Sequence, residues 1–115
     1  MSSVLLVMHL GMTQARQAGF FKGQIVYHKK FHYRGVIFGV DPTFQGSEEW
    51  YNAVAKSHPP KDAPWYHVLV DGALHTTYVA EQHLEPDRSG KPIAHPMVST
   101  FFQGFENGHY QYLTN

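Results

Sequence analysis

The sequence predicts a mainly β fold, a small barrel with one or two short helices. Several short segments rich in β-branched and aromatic residues are separated by turn-forming residues, which is typical of such barrels. The length of 115 residues is close to the commonest size of a single domain. We therefore predict one domain over residues 21–115, preceded by an N-terminal extension over residues 1–20 that is flexible or helical.

The first two predicted strands cover residues 24–28 and 36–40, where β-branched and aromatic residues dominate. Residues 29–34 form the loop between them. Asp41 and Pro42 end the second strand, because proline has no N–H to donate to a neighbouring strand. A short helix is predicted to begin after Ser47, a favourable N-cap residue, and to end at His58-Pro59-Pro60.

Two further strands are predicted at residues 66–71 and 75–80, joined by an Asp71-Gly72 turn. One helical turn over residues 81–84 and a loop over residues 85–91 follow. A last helix is predicted to begin at Pro96 and to end at Gly104. The apolar stripe of that helix consists of Val98, Phe101, Phe102 and Phe105.

Charge and composition exclude several classes of function. The chain has nine basic residues (Lys and Arg), nine acidic residues (Asp and Glu) and nine His residues. The formal net charge at pH 7 is therefore zero, and it favours no class of partner. The absence of Cys excludes disulfides, thiolate catalysis and Cys-ligated metals, and a cytoplasmic location is expected. The apolar run over residues 4–10 is too short to span a bilayer, so no membrane association is predicted.

No catalytic or metal-binding pattern is found in the sequence. The His residues form no His-Glu-x-x-His helix, and the closest pair, His28 and His32, straddles the predicted loop. No linear motif pairs a nucleophile with a base. The sequence therefore predicts a non-catalytic binding protein that uses no metal and no cofactor.

The predicted loop between the first two strands is the strongest candidate for a binding surface. Its cationic residues are interleaved with aromatic ones, a pattern that suits phosphate contacts combined with base stacking. The alternative is a solvated loop whose aromatic side chains turn inward. The predicted DNA-binding residues are Lys22, Lys29, Lys30, His32 and Arg34.

Three large aromatic residues, Trp50, Trp65 and Tyr66, allow two interpretations. Large aromatic side chains commonly supply much of the core of a small barrel. A partly exposed Trp65 beside Tyr66 would instead indicate a groove for a protein partner. We predict these three as partner-binding residues, with a core role as the alternative.

A set of motifs between residue 21 and about residue 110 occurs in a characteristic order. The motifs are Gln24-Ile25-Val26-Tyr27-His28, Tyr33-Arg34-Gly35-Val36-Ile37, Val40-Asp41-Pro42, Glu49-Trp50-Tyr51, Ala63-Pro64-Trp65-Tyr66-His67-Val68-Leu69-Val70, Thr77-Tyr78-Val79-Ala80-Glu81 and His95-Pro96. With this order and spacing, the chain resembles the HspQ/YccV family, also called the hemimethylated-DNA-binding domain.

The resemblance implies an SH3-like β-barrel and two non-catalytic roles, binding of hemimethylated DNA and assistance to an ATP-dependent protease during stress. Double-stranded DNA is therefore the first predicted partner, and an ATP-dependent protease or other machinery is the second. DNA would be bound by the predicted loop over residues 29–34. A protein partner would meet the surface at Trp65 and Tyr66 or the N-terminal extension. A homo-oligomer is left open, as are the DNA sequence and the methylation preference.

Overall fold

The computed structural model describes residues 17–113, so most of the predicted extension over residues 1–20 lies outside the described residues. The strands are β1 (Ile25–His28), β2 (Arg34–Asp41), β3 (Trp65–Val70), β4 (Thr76–Ala80), β5 (Leu84–Pro86), β6 (Phe102–Glu106) and β7 (His109–Tyr112). The helices are α1 (Glu48–Val54) and α2 (Val98–Phe101), and a 3₁₀ turn covers Glu81–His83.

Five of these strands form one antiparallel sheet in the order β4-β3-β2-β1-β5, and β6 pairs with β7 in a separate hairpin. The mainly β prediction with short helices is confirmed. No ladder joins β4 to β5 within residues 17–113, so the sheet is not closed into a barrel there. Closure into an SH3-like barrel stays a prediction.

The central strand β2 separates two hydrophobic clusters, because its successive side chains point to opposite faces. Val36 is fully buried in a row with Ile25 of β1 and Leu69 of β3, its partners across the two ladders. The next residue, Ile37, is fully buried beside Val68 in the second cluster. Both faces of the sheet are therefore covered, which explains the nearly continuous apolar sequence of β2 and β3.

Helix α1 begins as predicted. Ser47 is its N-cap, and the Ser47 hydroxyl oxygen accepts a hydrogen bond of 3.0 Å from the backbone N–H of Trp50. Its one buried residue is Tyr51, whose hydroxyl donates to the Pro59 carbonyl at 2.6 Å. Tyr51 packs in a third cluster with Trp65, so the helix covers the end of the sheet where β3 begins.

The predicted helix from Pro96 to Gly104 is wrong beyond Phe101. Residues from Phe102 onward form β6, which turns through Asn107 and Gly108 into β7. Both turn residues have positive φ values, 56° and 81°, which is the two-residue turn that Asn-Gly favours. Pairing with β7 lets Phe102 reach the cluster around Val36, and this burial outweighs the helical period of the apolar residues.

The predicted loop over residues 85–91 begins too early. Leu84–Pro86 forms strand β5, whose residues Leu84 and Glu85 lie opposite His28 and Tyr27 of β1. The proline ends this short strand at the edge of the sheet, where a missing N–H costs no ladder bond. The 3₁₀ turn before β5 agrees with the single helical turn predicted at residues 81–84.

Gly23 joins the β6–β7 hairpin to the five-stranded sheet. Its N–H donates to the Ile37 carbonyl and its carbonyl accepts from the Tyr110 N–H, both at 2.8 Å. Gly23 has a φ of +98°, and a Cβ atom there would lie 2.1 Å from the Tyr110 carbonyl oxygen. Only glycine adopts this positive φ without strain and leaves room for the Tyr110 carbonyl.

We expect Gly23→Ala to lower the free energy of unfolding by about 2 to 3 kcal/mol, because it adds backbone strain and a clash with Tyr110. Urea denaturation of both proteins measures this difference. Gly104→Ala is the matched control, since a Cβ atom at Gly104 meets nothing within 4 Å. Equal losses in the two variants would contradict the role assigned to Gly23.

Candidate functional site

The basic loop between β1 and β2, residues 29–33, is held by the side chain of His28 at the end of β1. His28 is 4% exposed. Its Nδ1 atom accepts hydrogen bonds from the backbone N–H groups of Lys30, at 3.1 Å, and Phe31, at 3.0 Å. Its carbonyl accepts from the N–H of His32 at 2.8 Å. One residue therefore satisfies three of the amide groups of the loop.

His28 can perform this role only as a neutral ring, because a protonated Nδ1 is a donor and not an acceptor. Burial, helped by the nearby charges of His83, Lys30 and His32, lowers the pKa of His28 from 6.5 to about 4. The ring is consequently neutral at pH 7.

Aromatic stacking extends the support of the loop. The His28 ring stacks on Phe31 and on His83, with centroid separations of 4.8 and 5.6 Å. The His83 carbonyl accepts a hydrogen bond of 2.9 Å from the Lys29 N–H, so the 3₁₀ turn fixes the start of the loop. His83 Nε2 also lies 2.9 Å from the Ser57 hydroxyl, which connects the loop to the segment after α1.

The side chains at the tip of the loop are exposed. Lys29, Lys30 and His32 are exposed, and Phe31 is 66% exposed. The Lys30 ammonium lies 5.7 Å from the centre of the Phe31 ring. The structure thus brings together three of the five predicted DNA-binding residues, and it adds Phe31, an apolar group on the same surface.

The other two predicted DNA-binding residues lie elsewhere. Lys22 places its ammonium 4.4 Å from the centre of the Tyr112 ring on β7. Arg34 lies on the face of β2 that carries Val36, opposite the face of Tyr33. Neither residue shares the exposed surface of the loop.

The guanidinium of Arg34 is occupied by contacts within the chain. Its Nη1 atom donates to Asp71 at 3.0 Å, and its Nη2 atom donates to the Lys91 carbonyl. Its Nε atom lies 3.2 Å from Asp87 Oδ1 without hydrogen-bond geometry. Arg34 therefore joins the β3–β4 turn to the segment after β5, a structural role that leaves few donors for a phosphate.

An open cleft of about 470 Å³ lies beside the loop. Its walls are the end of β1 with the basic loop, the C-terminal part of α1 with the residues after it, and strand β4. Its lining includes Lys30, Phe31, Trp50, Val54, Lys56 and Tyr78. Phe31 and Val54, which is 54% exposed, are two of the large apolar side chains that the described part of the chain exposes.

The three predicted partner-binding residues differ in exposure. Trp50 is half-buried on the wall of the cleft. Trp65 and Tyr66 are 2% and 0% exposed and belong to the core, which was the alternative interpretation. Burial removes Tyr66 from any exposed partner surface, while Trp65 contributes only to the lining of the cleft.

The Tyr66 hydroxyl has a structural function. It accepts hydrogen bonds from the backbone N–H groups of Gly19 and Phe20 and donates one to Glu81. Burial, with the Glu81 carboxylate, raises the pKa of Tyr66 to about 12, so the hydroxyl stays protonated. The start of the described chain is thereby fixed to the 3₁₀ turn.

Sequence reasoning missed Lys56 and Tyr78 as residues of the cleft. Lys56 lay near the end of the predicted helix, which in the structure already ends at Val54, and Tyr78 lay in a predicted strand. Neither residue was assigned to a site. Tyr78 donates to Asp41 at 2.6 Å, and burial together with this bond raises its pKa. Tyr78 therefore remains a neutral hydroxyl whose ring faces the cleft.

Neither a metal centre nor a membrane-spanning helix is found in the described part of the chain. No group of three or more His, Asp or Glu side chains between residues 17 and 113 has the geometry to hold a metal ion. No helix in that range is long and apolar enough to cross a membrane.

The sequence matches a known protein family over most of its length. The matching family model is described as "Hemimethylated DNA-binding protein YccV like" and covers residues 18–109. The chain belongs to the YccV-like family. The predicted resemblance is confirmed, and the match contains every element from β1 to β6.

Curated relatives of this YccV-like chain include much longer proteins. It is 36% identical over 91 residues to F-box only protein 21 of Homo sapiens, and 35% identical over 91 residues to that of Mus musculus. Each match covers 76% of this chain and 14% of the relative. The YccV-like chain thus corresponds to a small part of those proteins.

The lowered pKa of His28 predicts a loss of stability in acid. The unfolded chain takes up a proton near pH 6.5, but the folded ring does so only near pH 4, so the free energy of unfolding falls as the pH decreases between these values. Linkage gives a loss of about 3 kcal/mol for this group.

His28→Asn isolates this contribution, because an amide oxygen can accept the loop N–H groups but does not titrate. We expect the variant to lose less stability than the natural protein between pH 7 and pH 4, as measured by urea denaturation. Identical pH profiles for the two proteins would show that His28 is not the responsible group.

Proposed function

We propose that this YccV-like chain binds double-stranded DNA through the tip of the basic loop. The observation that carries the proposal is the common exposure of Lys29, Lys30, Phe31 and His32 on a loop whose backbone is fixed by His28. A preordered loop loses little conformational entropy on binding. The description of the family as hemimethylated-DNA-binding supports DNA as the ligand.

The side chains of the loop can make two kinds of contact, one that positions the protein on the duplex and one that recognises a base. Lys29 and Lys30 supply charge for phosphate oxygens, which orient a protein on a duplex without reading sequence. Phe31 is the apolar group that can contact a base methyl in the major groove, the feature that distinguishes a methylated strand. Because two lysines neutralise only two phosphates, the binding is weak. The logarithm of the association constant falls with the logarithm of the salt concentration with a slope of about −2.

The domain in this proposal is a non-catalytic SH3-like barrel. The 3₁₀ turn joins β4 to β5, and β5 pairs with β1, so the two ends of the sheet curve toward each other, which supports a barrel that stays open along the outer edge of β4. The Ser57 and His83 side chains are within hydrogen-bond distance, but among residues 17–113 no carboxylate orients the His83 ring. This pair lacks the third group that a hydrolytic triad needs.

A protein-interaction adaptor is the second candidate function, and the cleft favours it. Exposed Phe31 and Val54 flank an aromatic-lined depression, and such an arrangement suits a protein segment better than a duplex. An ATP-dependent protease or other machinery would be the partner.

The DNA proposal is tested by reversing the charge of the loop. We expect Lys29→Glu with Lys30→Glu to weaken binding to a duplex more than about tenfold at low salt, because two attractive phosphate contacts become repulsive. The control is Arg88→Glu with Lys91→Glu, an equal charge change at exposed residues beyond β5. Fluorescence anisotropy with unmethylated and hemimethylated duplexes measures both.

Phe31→Ala separates the contact with a base methyl from the phosphate contacts made by the lysines. It should reduce any preference for the hemimethylated duplex while leaving the salt dependence unchanged, because the lysines remain. Equal loss of duplex affinity in the loop variant and in the control would refute the proposed interface.

A further inference from the structure

We propose that the cleft binds an extended acidic peptide segment of a partner protein, which adds a strand to the free edge of β4. This inference deepens the second candidate function by naming the chemistry of the partner, and it does not depend on DNA binding. Strand addition joins a peptide to a sheet through backbone hydrogen bonds, while pockets beside the edge select its side chains.

Strand β4 ends the hydrogen-bonded order of the sheet, so one of its two edges faces away from β3. The Val70 N–H donates to the His75 carbonyl and the Glu81 N–H donates to the Pro64 carbonyl. Because hydrogen-bonded pairs alternate along an antiparallel ladder, the intervening residues Thr76 and Tyr78 direct their N–H and carbonyl groups outward. No partner for these four groups is found among residues 17–113.

The cleft runs along this outward edge. All residues of β4, Thr76–Ala80, contribute to its lining. Trp50 and Val54 of α1 and Phe31 at the tip of the loop also contribute to the lining. A strand added to β4 would place alternate side chains near these apolar groups, which gives apolar recognition beside the backbone bonds.

The charges around the cleft specify an acidic occupant. Lys30 and Lys56 both contribute to the lining, and none of the lining residues is an Asp or Glu. The acidic residue of β2, Asp41, already accepts from Tyr78 and lies 3.1 Å from His67 Nε2. Glutamate or aspartate side chains of a peptide would therefore meet two cations and no competing carboxylate.

A duplex is a poor occupant of the same cleft. Its volume of about 470 Å³ suits a few side chains, and the outward amide and carbonyl groups of β4 match a peptide backbone. A single-stranded nucleic acid could stack on the aromatic walls, but it has no groups that pair with a strand edge. The structure consequently favours a peptide.

The probe is a short labelled peptide, acetylated and amidated at its ends, in which valine and tryptophan alternate with glutamate. Fluorescence anisotropy with the full chain should show saturable binding. A peptide with lysine in place of glutamate should bind at least about tenfold more weakly. A peptide with alternate amides N-methylated should also lose about tenfold, because the bonds to Thr76 and Tyr78 are removed.

Two pairs of variants locate the site on the protein. Thr76→Pro removes the outward N–H but fits an edge strand, and we expect it to weaken peptide binding, whereas Thr76→Val retains the N–H and the affinity. Lys56→Glu should weaken peptide binding about tenfold and leave duplex binding unchanged. Lys29→Glu should weaken duplex binding and leave peptide binding unchanged. The two variants therefore show separately whether the DNA proposal or the peptide proposal fails.

Several outcomes would overturn the inference. They are absence of binding by the acidic peptide, equal binding of its N-methylated form, and equal binding of the lysine peptide. A single-stranded oligothymidylate that displaces the peptide and loses affinity in the Lys56→Glu variant would assign the cleft to nucleic acid. If Thr76→Pro fails to fold, the N-methylated peptide still tests strand addition.

Discussion

The candidate site depends on the hydrogen bonds that the neutral, buried ring of His28 accepts from the loop between β1 and β2. The ring lies at the end of β1 and accepts from the N–H groups of Lys30 and Phe31, so the loop keeps one backbone conformation while its cations face solvent. The same ring stacks on His83, which lies on the 3₁₀ turn. Without this acceptor, two loop amides would be left unsatisfied beside the core.

The sheet gives different tasks to its two faces. On the face of Val36, Arg34 binds Asp71 and the carbonyl of Lys91, which fixes the irregular segments around that side. On the face of Ile37, Tyr33 packs in the core and its hydroxyl lies 2.7 Å from that of Thr77 on β4. One side is therefore closed by an ion-pair network, and the other carries the basic loop and the cleft.

Local signals in the sequence predicted much of the fold. The position of Ser47 gave the start of α1, and the β-branched segments gave the first four strands within one or two residues. The hairpin of β6 and β7 was missed because the phenylalanines also fit a helical period, although Asn107-Gly108 is a strong turn signal. Short apolar segments of this kind are ambiguous until their burial is known.

The site was less predictable because side-chain direction depends on long-range contacts. In the sequence, Arg34 and Lys30 are equivalent cations near one loop, but the strand period turns Arg34 toward Asp71, and no local pattern reveals that partner. Lys56 reaches the cleft only because α1 packs on Trp65 through Tyr51. Pairings between distant parts of the chain therefore decided which cations are available.

The loop and the cleft share two side chains, and this has a consequence for the two proposed ligands. Lys30 and Phe31 belong to the exposed tip and also contribute to the lining of the cleft. A peptide that engages them reduces the charge and the apolar surface left for a duplex, and a duplex has the same effect on a peptide. Because linkage between binding sites is reciprocal, each ligand must weaken the other by the same factor. Under both proposals, binding of an acidic partner would lower the affinity of the chain for DNA, and binding of DNA would lower its affinity for that partner to the same degree.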